Sequence, residues 1–271
     1  MKLLAALIVA GSCLAANPGA LEIMRRVAEN QDRGLAARAT WVYDQDVFVR
    51  LQRAGGKLAR EETRRYVVAP TEKGAGRKLA GVEGKIREGS REIKYTSPGF
   101  RSKNADIDGA LVDSFAQEIN WRKDTLGPVE FLFPLSAGHQ DQYTFTLDGE
   151  EQYQGFDAWR ISFRGNAGED DWRGDLLVEK NEFQPIILTS HWAGKIPLSV
   201  RLVLGVTVKQ VGAKFTWRRM EKDIWFPVTA GGEMKLRVFF LYARTIAFRS
   251  VSSGFRKAEV QSSVEYETQS P

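Results

Sequence analysis

Sulfur and imidazole are scarce in this sequence. Its 271 residues hold one cysteine, Cys13, and two histidines, His139 and His191. A single cysteine excludes an internal disulfide, a cysteine-based zinc site and an iron–sulfur centre. Two histidines far apart in sequence leave no material for a histidine-rich metal site. Catalytic signatures are missing too. There is no G-x-S-x-G elbow, no P-loop and no H-E-x-x-H, since His139 is followed by Gln140-Asp141 and His191 by Trp192-Ala193. The stretch GAGRKLAG, residues 74–81, has glycines but neither the spacing nor the βαβ context of a dinucleotide loop. Glu169-Asp170-Asp171 is an acidic cluster without EF-hand spacing and reads as a solvated turn. The chain is therefore read as non-enzymatic, with no catalytic residues, no metal and no cofactor.

What is present begins with an address. Lys2 precedes the apolar run Leu3 to Ala10, followed by the small residues of GSCLAA and then Asn17-Pro18. Residues 1–16 have the layout of a secretory signal peptide. The run is far shorter than the ~20 residues a membrane helix needs. A cut after Ala15 puts Cys13 and Ala15 at the two positions where signal peptidase wants small residues. A cut after Ala16 puts the bulkier Leu14 there. Ala10-Gly11-Ser12-Cys13 also resembles a bacterial lipobox, which offers Cys13 as an alternative lipid anchor. Either reading places the mature body, 17–271, in the periplasm. A domain of that size can bury a core without disulfide staples.

The body is mostly strand. Asn17-Pro18 and the spacing of Ala20, Ile23, Met24 and Val27 predict one capped helix. From Ala37 to Arg53, Trp41, Tyr43, Val47, Val49 and Leu51 share a parity, as in a half-buried strand, and REETRRYVVAP returns as its hairpin partner. Residues 71–104 carry six glycines and nine basic against four acidic residues. That excess of five equals the formal net charge of +5 for the whole chain. They read as a basic, glycine-rich excursion, mixed in structure and a candidate for mobility. Ile107, Leu111 and Phe115 give helical period over 107–119, with Asp106 as its cap and Gly109 as a weak point. From Gln142 onward nearly everything alternates. Asp148-Gly149 is an expected turn, and 233–249 is expected to be one long strand. Few helices first and many strands later predict an α+β, mainly β fold. Its core would be a large curved antiparallel sheet, an open half-barrel, with a few helices on its concave face.

Several segments carry a resemblance. ATWVYDQDVFVRLQRAGG with its returning strand resembles a group of exported bacterial proteins that open on a helix and a hairpin. Leu177-Val178-Glu179, Trp225-Phe226-Pro227 and Phe248…Phe255-Arg256-Lys257 resemble motifs of periplasmic lipoprotein carriers of the LolA type, often labelled outer-membrane lipoprotein-sorting proteins. The resemblance implies a half-barrel whose apolar side binds acyl chains or hydrophobic protein segments. It implies a carrier for a lipid, a lipoprotein acyl group or another apolar ligand. An alternative is an envelope module that uses the same sheet to bind a protein partner or to sense stress. Seven tryptophans invite an aromatic groove, and Trp41, Trp159, Trp192, Trp217, Phe240 and Tyr242 are its candidate lining. Basic residues across 73–103 suit peripheral contact with anionic membrane surfaces. Export separates the protein from nucleic acid, so no nucleic-acid partner is expected.

Overall fold

The computed structural model describes residues 18–71, 74–104, 106–118, 135, 137–166, 172–192, 206–238 and 242–258. Within them lie two α-helices, a 3₁₀ helix and one open antiparallel sheet of eleven strands. Helix α1 (Ala20–Arg38) leads into β1 (Trp41–Gln52), β2 (Leu58–Thr71), β3 (Gly74–Glu88) and β4 (Arg91–Tyr95). Helix α2 (Ile107–Glu118) and the 3₁₀ helix (Ala137–Gln142) follow. The chain then forms β5 (Tyr143–Tyr153), β6 (Phe156–Gly165), β7 (Trp172–Glu179), β8 (Pro185–Trp192), β9 (Val206–Glu221), β10 (Ile224–Val238) and β11 (Tyr242–Lys257). The sheet order is β4-β3-β2-β1-β11-β10-β9-β8-β7-β6-β5. Every neighbouring pair except β1–β11 is consecutive in sequence, so two meanders are joined by one long-range seam. The mainly-β architecture expected from the sequence is the one the chain adopts.

Register shows that both helices share a face. Directly opposed residues on antiparallel strands point to the same side. One rung crosses the entire sheet: Phe145–Phe163–Gly174–Ser190–Ala213–Gly232–Phe248–Val49–Glu62–Gly84–Tyr95. On this inner face Ile23, Met24 and Val27 of α1 pack with Ile161, Leu176, Leu188, Phe215 and Trp225. All three helix side chains are fully buried, and their burial contributes roughly 5–8 kcal/mol. Farther along the same face, Val112 of α2 packs with Val47, Val49, Leu51 and Ile246.

Helix α1 starts at Ala20 rather than Pro18, with the Gly19 carbonyl accepting from Ile23 N–H at 3.0 Å. It also runs on to Arg38. Polar partners across the fold account for the extra length. Gln31 donates to Gln184 at 2.8 Å, and the Arg38 guanidinium donates to the Trp225 carbonyl at 3.0 Å.

Three other expectations change. The basic segment 71–104 is not an excursion from the sheet, since β3 and β4 fill most of it and form one edge. Its glycines fit strands because tertiary packing needs them: the Tyr95 ring lies where a Cβ on Gly84 would be, 2.1 Å away. Asp148-Gly149 is a register irregularity inside β5, and the chain reverses instead at Gln154-Gly155, with φ of 51° and 85°. That pair of positive φ values suits a tight hairpin. The span 233–249 is a hairpin rather than one strand, since Val238 pairs with Tyr242. Met234 and Ile246 still share a face, because they are opposed across the hairpin and not because they alternate along one strand. The leader 1–16, the acidic cluster Glu169-Asp170-Asp171 and Phe240 lie outside the described residues.

Candidate functional site

The inner face has two unlike halves. Beneath α1 it is apolar. Beneath α2 the β2 residues on that face are Arg60, Glu62 and Arg64, opposed to Leu51, Val49 and Val47. All three are buried, Arg60 to 1% exposure. Isolated charges would not tolerate such burial, and these are matched. Glu62 accepts from the Tyr95 hydroxyl at 2.7 Å and pairs with Arg64. Arg60 pairs with Asp106 at 3.2 Å and donates to the Phe100 carbonyl at 3.1 Å. The Arg60 guanidinium lies 5.1 Å from the Tyr95 ring centroid and 5.9 Å from that of Phe100.

Helix α2 is fastened to this charged strip largely through its carboxylates. Asp106 caps it, accepting from Gly109 N–H at 2.8 Å and Ser102 N–H at 3.1 Å. Asp113 pairs with Arg101 at 2.7 Å and with Arg64. Asp108 takes Arg244 at 2.7 and 3.0 Å and accepts from the Tyr242 hydroxyl. Burial pushes the Asp106 carboxyl up, but the two backbone donors and the Arg60 and Arg101 guanidiniums outweigh it, leaving it below the usual aspartate value. Asp113 is lowered in the same way, its burial outweighed by Arg101 and Arg64. Burial, then the hydrogen bond to Glu62, raises the Tyr95 phenol, and burial with the Asp108 bond raises Tyr242.

Gly109 belongs to this arrangement. A Cβ there would sit 2.3 Å from Arg60 Nη1 and 2.9 Å from Asp106 Oδ2. The glycine that weakens α2 by propensity therefore lets the helix start come down over a buried guanidinium.

Between the apolar and charged halves runs a lane of small residues. Gly174, Ser190, Ala213 and Gly232 are successive register partners on β7 to β10. Three inter-strand steps make the lane about 14 Å long. Phe163 stands at one end and Phe248 at the other. Their rings lie 2.9 and 2.8 Å from where a Cβ on Gly174 and Gly232 would be. Ser190 is 1% exposed and its hydroxyl has no partner in the described structure, an uncommon state for a buried polar group.

The aromatic candidates disperse. Trp159 and Trp217 are buried together in the core under α1. Trp192 meets Trp172 edge-on at 5.5 Å, at the end of β8 nearest the lane. Trp41 joins Phe226 at 5.4 Å where α1 passes into β1. Tyr242 is one of the fasteners of α2, with Arg244 3.8 Å above its ring. Of the basic residues expected to form one solvated arm, Lys78, Arg87, Arg91, Lys94 and Lys103 are exposed. Lys85 pairs with Glu61, and Arg77 turns onto the Tyr66 ring at 3.7 Å. Sequence reading missed the buried strip on β2 and the lane. The first has charges on both parities, and the second takes one residue from each of four strands.

Among the described residues no helix is long and apolar enough to cross a membrane, and no group of three or more His, Cys, Asp or Glu side chains could hold a metal. No protein-family model matches the chain, and no curated protein matches it. Among solved structures, it is similar to a DUF1329 family protein from Desulfovibrio piger, with 16% identity and a TM-score of 0.32 over 90% of this chain and 96% of that one. It is similar to MucB, solved in complex with periplasmic MucA, with 13% identity and a TM-score of 0.25 over 89% of this chain and 100% of that one. It is also similar to lipovitellin, whose structure concerns lipid–protein interactions, with 12% identity and a TM-score of 0.34 over 83% of this chain and 26% of that one. TM-scores this low establish no equivalence of fold, and the functional reading rests on the inner face itself.

Proposed function

We propose that this chain is a non-enzymatic binding or carrier protein of the bacterial periplasm. It holds an apolar ligand, such as a lipid or a lipoprotein acyl chain, against the helix-covered face of its sheet. The observation that carries this reading is the lane of Gly174, Ser190, Ala213 and Gly232 between two phenylalanines. The lane's own side chains are small, and the rings that lean over its ends, Phe163 on Gly174 and Phe248 on Gly232, would swing aside to admit a narrow flexible chain beside the Trp172–Trp192 pair. Apolar burial would supply affinity at about 25 cal/mol per Å² before ordering costs. Helix α2 acts as the cover: it holds the sheet through Val112 and a set of ion pairs, whereas α1 is rooted in the larger apolar cluster by Ile23, Met24 and Val27. The leader sequence supports export, with Cys13 either removed or used as a lipid anchor.

Native mass spectrometry of the protein purified from its own periplasm tests the reading. A co-purifying apolar molecule, and a thermal shift on adding lipid back, are expected. Repeated absence of both would overturn it. A second reading, a protein partner added to the sheet edge, is favoured by β5. That eleven-residue edge strand pairs only with β6 among the described residues. Cross-linking in cells that captured one dominant protein and no lipid would favour it.

A further inference from the structure

Both helices pack on the inner face of the sheet, and among the described residues neither touches the outer one. The rungs on either side of the inner rung point outward. One runs Arg164–Arg173–His191–Gly212–Glu233–Ala247 from β6 to β11. The other runs Asp175–Thr189–Lys214–Gly231–Arg249 from β7 to β11. Beyond Glu233, Lys235 and Arg237 continue the outward set along β10. The six lysines and arginines of this region are all exposed, and among the described residues no carboxylate pairs with any of them. Its carboxylates are Asp175 and Glu233, two against six. The first meander is built differently. On its outer face Arg50 and Lys85 share Glu61, each at 2.9 Å, and Arg65 pairs with Glu83 at 2.8 Å.

Like charges directly opposed on neighbouring strands destabilise a sheet. Arg164 and Arg173 are opposed in that way. Lys214 and Arg249 flank Gly231, which puts no side chain between them. An external negative surface would offset this repulsion. The cations also spread out singly instead of converging on one point. Arg173 and Arg249 are four inter-strand steps apart, about 19 Å. Such spacing matches a plane of negative charge, not one small anion, and each cation brought against an anionic bilayer strengthens attachment roughly five-fold. We propose that the outer face of β6 to β11 docks on an anionic lipid bilayer, with Arg164, Arg173, Lys214 and Arg249 against the headgroups. This docking is independent of the carrier reading, which concerns the opposite face. It also moves membrane contact away from 73–103, where the sequence suggests it.

Co-sedimentation of the full chain with vesicles tests it, with Cys13→Ser in every protein so that no acyl anchor contributes. Vesicles of phosphatidylcholine and phosphatidylglycerol in about equal parts should bind at least about ten-fold more tightly than vesicles of phosphatidylcholine alone. That preference should vanish between about 0.1 M and about 1 M salt, as the screening length falls from about 10 to about 3 Å. Arg173→Glu/Lys214→Glu should weaken binding to the anionic vesicles by at least about ten-fold. This variant sets an opposite charge across from Arg164, so it should fold, as circular dichroism would check. Lys78→Glu/Lys94→Glu, which alters exposed cations of 73–103, should weaken binding less than Arg173→Glu/Lys214→Glu does. Equal binding to neutral and anionic vesicles, or binding to neither, would overturn the proposal and leave the carrier reading untouched. A folded Arg173→Glu/Lys214→Glu protein with native affinity, or a larger loss in Lys78→Glu/Lys94→Glu, would overturn the assignment to this face. If the first variant fails to fold, Arg249→Glu decides in its place, with an expected loss of at least about five-fold and native affinity as the refuting result.

Discussion

Replacing Gly109 with alanine sets two physical effects against each other on one residue. By helix propensity alone, Gly→Ala inside α2 should stabilise by about 1 kcal/mol. The tertiary contacts argue the other way. The new Cβ would stand 2.3 Å from Arg60 Nη1, 2.9 Å from Asp106 Oδ2 and 3.0 Å from Arg101 Cδ. A long side chain at the surface would swing aside at little cost. Arg60 is 1% exposed, stacked near Tyr95 and Phe100 and bonded to Asp106 and the Phe100 carbonyl, so it has nowhere to go. Overpacking costs about 1–3 kcal/mol and breaking a buried pair about 3–5 kcal/mol. Partial loss of the Arg60–Asp106 pair therefore outweighs the propensity gain, for a net destabilisation of about 2 kcal/mol. For a domain of this size that lowers Tm by roughly 4–8 °C. Thermal melts followed by circular dichroism measure it. Adding Arg60→Met to Gly109→Ala should cost less than the sum of the two single changes, because the clash goes with the guanidinium. A Gly109→Ala protein as stable as the native one, or more so, would refute the placement of α2 over Arg60.

Glu62→Gln should destabilise by about 3 kcal/mol in urea titration, since it leaves Arg64 buried with only Asp113. A Glu62→Leu/Arg64→Met double variant should recover much of that loss, and failure of the single change to destabilise would show that the strip is hydrated. The fastening of α2 should also depend on pH. Asp106 and Asp113 have folded pKa values below the ordinary 3.8, so their stabilisation is complete above that value and is lost as pH falls beneath it through the lowered values. Hydrogen exchange should show α2 losing protection below about pH 4, relative to α1. Equal protection of the two helices down to pH 2.5 would count against an ionic cover. Gly232→Ala should destabilise and also weaken apolar ligand binding, because its Cβ would meet the Gly212 carbonyl oxygen at 2.2 Å and the Phe248 ring at 2.8 Å. Unchanged ligand affinity in a folded variant would remove the lane from the binding surface.

Much of this molecule is legible in one dimension because its contacts are local. Alternation marks β1 from Trp41 to Leu51, and helical spacing marks Ile23, Met24 and Val27 of α1. The single Cys13 and the two histidines excluded disulfides and thiolate metal sites before any fold was known. On β2 the same logic gives no answer. Arg60, Glu61, Glu62, Arg64 and Arg65 put charge on both parities, so no period says which charges are buried. Only pairing with β1 turns Arg60, Glu62 and Arg64 inward, and only the carboxylates of α2 and its cap make that burial tolerable. The glycines of 71–104 looked like loop residues because local propensity cannot see Tyr95 reaching across Gly84 to Glu62. The lane is the extreme case, with one small residue from each of four strands. Short-range periodicity thus marked many of the strands, though not β3, β4 or the break between β10 and β11. The register of one strand against the next, a long-range property, decided which side chains meet on the inner face.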